Sequence, residues 1–91
     1  MERRGQQVFL GTACVMCHAI GGTPARARLG PDLTHVGSRL RIASAMLPNV
    51  PQHLMRWIND PQAVRPGVIM PGNMIAADDL WALAAYLESL K

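Results

Sequence analysis

Two thiols and an imidazole fall within five residues at Cys14-Val15-Met16-Cys17-His18. A C-x-x-C pair closed by histidine is the spacing that attaches a c-type haem. The thiols of Cys14 and Cys17 would add across the two vinyl groups as thioethers. His18, carried on the same turn, would reach the iron from the proximal side. Other chemistries of the pair fit less well. A structural zinc needs four ligands, no second cysteine pair exists, and His35 and His53 do not complete a cluster at any familiar spacing. A thioredoxin-like redox pair sits at a strand-to-helix junction and gives no reason for the following histidine.

The sixth ligand decides what such a haem does. A thioether raises the potential, and filling both axial positions leaves no place for a substrate, which means electron transfer. An open position would mean a haem enzyme or a ligand sensor. Met16 projects from the attachment turn itself, Met46 closes a candidate helix, and Met55 lies off the apolar stripe of its helix. Met70 sits in a loop rich in Gly and Pro that is long enough to wrap the far side, with Met74 its rival four residues on. His35 and His53 read as surface or loop residues. Trp57 could pack its body on the ring and donate its indole N–H to a propionate, because a buried Trp usually finds a polar partner. Arg39 and Arg41 are further propionate partners. The carbonyl of Pro31 could accept from the second ring nitrogen of His18, fixing its tautomer; a plain turn proline is the other reading.

Elements must position these groups. Residues 2 to 11 read as a first helix, with Gly5, Val8 and Phe9 on one face. Gly5 costs roughly 1 kcal/mol against Ala inside a helix, which a close helix crossing would explain. A loop follows His18 as far as Leu33. Ser38 to Ala45 reads as a short second helix, and a third starts at Pro51, whose missing N–H is harmless there. Leu54, Trp57 and Ile58 give that helix its apolar face, and Pro61 ends it. Residues 61 to 74 read as an extended loop around Met70. A last helix runs from about Ala77 to Leu90, burying Leu80, Leu83, Ala84 and Leu87, with Trp81 off the stripe and Asp78 and Asp79 at the positive end of its dipole. Ala76 and Val50 offer no side-chain cap. The fold expected is all-α, four to five short helices with long loops around one haem.

A chain of 91 residues is expected to be one domain, residues 1–91, with a core too small to stand without a supplement. Much of its 49% hydrophobic content is Ala, and Phe9, Trp57, Trp81 and Tyr86 are the only aromatics, so a buried porphyrin would replace missing large side chains. Formal charge is +3, and Lys91 is the only lysine. The arginines are scattered, without a basic helix or an aromatic stacking platform, which argues against nucleic acid. Propionates would cancel much of the excess, so a large positive steering field is not expected. No apolar run could span a bilayer and no leader precedes the motif. Because c-type attachment takes place outside the bacterial cytoplasm, a leader or membrane anchor is expected on the natural product. The expected location is the periplasm or the outer face of the cytoplasmic membrane, and the isolated domain is expected to be a monomer.

The whole chain resembles the class I cytochromes c. The resemblance rests on Gly5 and Phe9, Cys14 to His18, Gly30-Pro31-Asp32-Leu33, Trp57-Ile58, Val68-Ile69-Met70-Pro71 and the closing helix with Tyr86. Within that family it is most similar to the cytochrome c domain of subunit II of caa-type haem-copper oxidases, on GPDLTHVG at 30–37, Leu47-Pro48-Asn49 and WINDPQ at 57–62. The resemblance implies covalent haem on Cys14 and Cys17, axial ligation by His18 and Met70, and Pro31 accepting from His18. It also implies a domain, not itself an enzyme, that takes electrons from a donor protein and passes them to a copper-A centre. A free soluble periplasmic electron carrier is the alternative.

Overall fold

The apolar stripes at the two ends of the chain are built to meet. In the computed structural model, which describes residues 2–43, 46–72 and 75–91, helix α1 (Glu2–Gly11) crosses helix α4 (Ala77–Glu88). Gly5 lies at the crossing, where a Cβ would fall onto the carbonyl oxygen of Ala82 and within 2.5 Å of the Tyr86 Cβ. One turn on, the rings of Phe9 and Tyr86 pack with centroids 6.5 Å apart and planes tilted by 58°. The expected role of Gly5 as a contact glycine therefore holds. An exposed ion pair, Arg4 to Asp79 at 2.7 Å, spans the same two helices.

Helix α2 (Pro51–Asn59) buries Leu54 and Ile58 and packs on α4 from another side. Because α4 is gripped by both α1 and α2, its buried surface is wider than the stripe of Leu80, Leu83, Ala84, Tyr86 and Leu87: Ala82 joins it. Trp81 stays 41% exposed, off the buried face as expected. Neither Val50 nor Ala76 caps its helix with a side chain. The C-terminal end is tied down instead, by Gly37 N donating to Leu90 O at 2.7 Å and Ser38 Oγ to Lys91 O at 2.9 Å.

Two segments differ from the sequence reading. The helix expected over Ser38 to Ala45 is replaced by a 3-10 turn, Val36–Ser38, and a minimal antiparallel pair, β1 (Arg41–Ile42) with β2 (Leu47–Pro48). Ala43 has φ of +56°, which no right-handed helix allows. Ser44 and Ala45 lie outside the described residues. The pairing is latched by Asn49, whose backbone N–H donates to Leu40 O at 3.0 Å and whose Nδ2 reaches Val36 O and Arg39 O at 2.9 Å each. Met46 accordingly ends no helix; it is 53% exposed on the hairpin. The second difference is helix α3 (Pro61–Val64) inside the expected loop. Pro61 ends α2 as read, and it also opens α3, with Asp60 accepting from Ala63 N as the cap. Otherwise the architecture is the expected one, four α-helices wrapped by long loops. Among the described residues no helix is long and apolar enough to cross a membrane.

Candidate cofactor site

The attachment residues sit on a tight turn. Ala13–Met16 forms a 3-10 helix directly after α1, and the amides of Cys17 and His18 both donate to Cys14 O, at 3.2 and 3.0 Å. That shared acceptor keeps the thiols and the imidazole on one short piece of chain. Thr12 Oγ1 lies 3.3 Å from both Phe9 O and Cys14 Sγ, and its single proton can serve only one of them at a time. Burial pushes the free Cys14 thiol above its ordinary value, with the Thr12 contact opposing.

His18 is buried at 9% exposure, and its Nδ1 lies 2.8 Å from Pro31 O. A carbonyl only accepts, so Nδ1 carries the proton and Nε2 keeps its lone pair, the tautomer a metal needs. Of the two readings of Pro31, turn residue or acceptor, the geometry realises the acceptor. Gly30 completes the arrangement. Its N–H donates to Cys17 O at 2.6 Å, and a Cβ on it would strike the His18 ring, 2.7 Å from Nδ1. The loop between is closed by Leu33 N to Ala19 O and Gly21 N to Thr34 Oγ1, both 2.8 Å. Hydrogen bonds from Thr34 hold the exposed Asp32 carboxylate below its usual range.

Met70 and Trp57 are half-buried against the hydrophobic core, as are Val15, Leu33 and Leu47. Met55, read as lying off its stripe, packs there too. Met74, the other candidate thioether, lies outside the described residues. The Met70 loop is clamped by a residue for which the sequence suggested no role: Gln62 donates through Nε2 to Val68 O at 2.6 Å and accepts from Gly67 N at 3.0 Å. Gly67 takes φ of +87° there, a conformation that costs glycine little. Asn49 was missed as well. Its two bonds to carbonyls fix the amide orientation and leave Oδ1 buried without a hydrogen-bond partner among the described residues. No spacing rule announces either amide, since both act through main-chain atoms brought near by the fold. His35 and His53 bond to the backbone carbonyls of Lys91 and Pro48 at exposed positions.

The donor set suits a flat, apolar, metal-bearing group. Two thiols lie on one turn, an oriented imidazole stands beside them, and half-buried apolar side chains and a thioether line the core edge. Among the described residues no group of three or more His, Cys, Asp or Glu side chains could hold a metal ion. Fold and site together define a domain of the class that carries a covalently attached haem for electron transfer. The sequence profile of the Cytochrome c family matches residues 2–91, and the chain belongs to that family. Its cofactor is a covalent c-type haem, and Cys14 and Cys17 supply the two thiols of the attachment motif.

Three relatives are each named cytochrome c oxidase subunit 2. That of Alkalihalophilus pseudofirmus is 40% identical over 92 residues, that of Bacillus sp. (strain PS3) 35% over 96, and that of Bacillus subtilis 29% over 96. Each match takes in 100% of this chain but only 26%, 26% and 27% of the relative. The chain thus spans about a quarter of the length of the curated relatives it matches.

Proposed function

We propose that this domain carries single electrons into a terminal oxidase, with His18 and Met70 as the two axial ligands and copper A as the acceptor. Match to oxidase subunits along the whole of this chain is the observation that carries the reading. The haem supplies a reversible one-electron couple. The residues do the rest. Cys14 and Cys17 fix the group covalently, and His18, with its proton held on Nδ1 by Pro31, offers Nε2 to the metal. Met70, half-buried on a loop that Gln62 clamps, offers a thioether that favours the reduced ion. With His18 and Met70 both bound, no position on the metal would remain for oxygen or peroxide. Trp57, half-buried, has no acceptor for its indole N–H among the described residues, so it is available to a propionate. The domain works on the extracytoplasmic side, in the periplasm or at the outer face of the cytoplasmic membrane, a location that the oxidase-subunit relatives support.

Replacement of the thioether tests the ligand assignment. Met70→Ala is expected to lower the midpoint potential and alter the visible spectrum, while Met74→Ala leaves both near wild type. The reverse pattern would move the sixth ligand to Met74.

A further inference from the structure

Met70 is delivered by a segment that the core barely holds. Of residues 65–72 only Val68 and Met70 are half-buried, and the others are exposed, Ile69 at 98%. A loop with so few buried contacts opens at little cost unless polar bonds order it. Its first turn is Arg65-Pro66-Gly67-Val68, closed by Val68 N donating to Arg65 O at 3.2 Å. Gly67, third in that turn with φ of +87°, gives it the pattern of type II.

Such a turn leaves its third N–H without a partner inside it. Gln62 takes that group and the next carbonyl together: Oε1 accepts from Gly67 N at 3.0 Å, and Nε2 donates to Val68 O at 2.6 Å. A primary amide offers a donor and an acceptor side by side without a charge, which is what these two main-chain groups require. The mount beneath it is firm. Gln62 belongs to α3, whose first residue, Pro61, is fully buried and whose N-terminus is capped by Asp60. Beyond Met70 the chain returns to the same corner, since a Cβ on Gly72 would lie 3.2 Å from Asn59 O at the end of α2. Met70 is thus held between two points on the α2–α3 corner, and Gln62 is the upstream one.

We propose that Gln62 is a positioning residue for the sixth ligand: by pinning Gly67 and Val68 it raises the fraction of chains in which the Met70 thioether is on the metal. The proposal rests on the assignment of Met70 as that ligand. The amide acts through the loop and touches neither the thioether nor the cofactor. An external ligand competes for the same position, and its apparent dissociation constant falls in proportion as the open fraction rises.

Imidazole is titrated into the oxidised, haem-loaded chain and its binding followed in the visible spectrum. Gln62→Leu is expected to bind it about tenfold more tightly than wild type, as loss of two exposed hydrogen bonds requires. Gln62→Glu keeps an acceptor for Gly67 N but sets a carboxylate oxygen against Val68 O, and it should shift the affinity in the same direction. Gly5→Ala, which loosens the α1–α4 crossing, should leave the affinity at the wild-type value. A wild-type affinity in either Gln62 variant, or an equal gain in Gly5→Ala, overturns the positioning role and leaves Met70 as the ligand. Wild-type protein that binds imidazole as tightly as Met70→Ala overturns the ligand assignment and the proposal with it.

Discussion

His18 is oriented by two neighbours that contribute no functional side chain, the main-chain carbonyl of Pro31 and the bare Cα of Gly30. The two respond differently to substitution. Pro31→Ala keeps the carbonyl and should leave the haem spectrum at wild type. Gly30→Ala drives a methyl group into the imidazole, so it should perturb the spectrum and cost about 1–3 kcal/mol in denaturant unfolding, the usual range for overpacking. Equal effects from both variants would show that the proline ring, and not the carbonyl, sets the imidazole. The sequence made His18 visible because its thiol partners are sequence neighbours. It left Gly30, Gln62 and Asn49 without roles, because their work depends on how distant main-chain segments return to the site.

At the scale of elements, the α1–α4 crossing holds the two ends of the chain together. Gly5→Ala places its Cβ against Ala82 O and Tyr86. Although alanine is the better helix former by roughly 1 kcal/mol, the clash should win, lowering stability by about 1–3 kcal/mol in a urea melt. A more stable variant would mean that the helices can separate at little cost. The terminal helices and α2 were legible because each carries an apolar face at helical spacing over nine or more residues. The hairpin at 41–48 was not. Its few apolar residues suit either period, and the choice falls to Asn49, which binds carbonyls 10 and 13 residues back along the chain. Helix α3 escaped because Pro61 was read only as a stop, and a proline that ends one helix is equally suited to begin the next.

For the molecule as a whole, a 91-residue chain folds around a small core in which Phe9, Ile20, Leu83 and Pro61 are its largest fully buried side chains. Half-buried Val15, Leu33, Trp57 and Met70 each pack against that core, and a porphyrin would add the apolar mass that the composition lacks. The class was legible from the attachment motif together with the later Met-Pro loop, and the oxidase likeness from stretches such as residues 30–37 and 57–62. With His18 and Met70 both bound to the iron as proposed, the domain would carry electrons and do no chemistry at the metal. Carbon monoxide added to the reduced, native protein at neutral pH tests it most directly. The visible spectrum is expected to stay unchanged after mixing, with binding appearing once Met70 is replaced by Ala. A rapid shift of the wild-type spectrum to that of a carbon monoxide complex would contradict it.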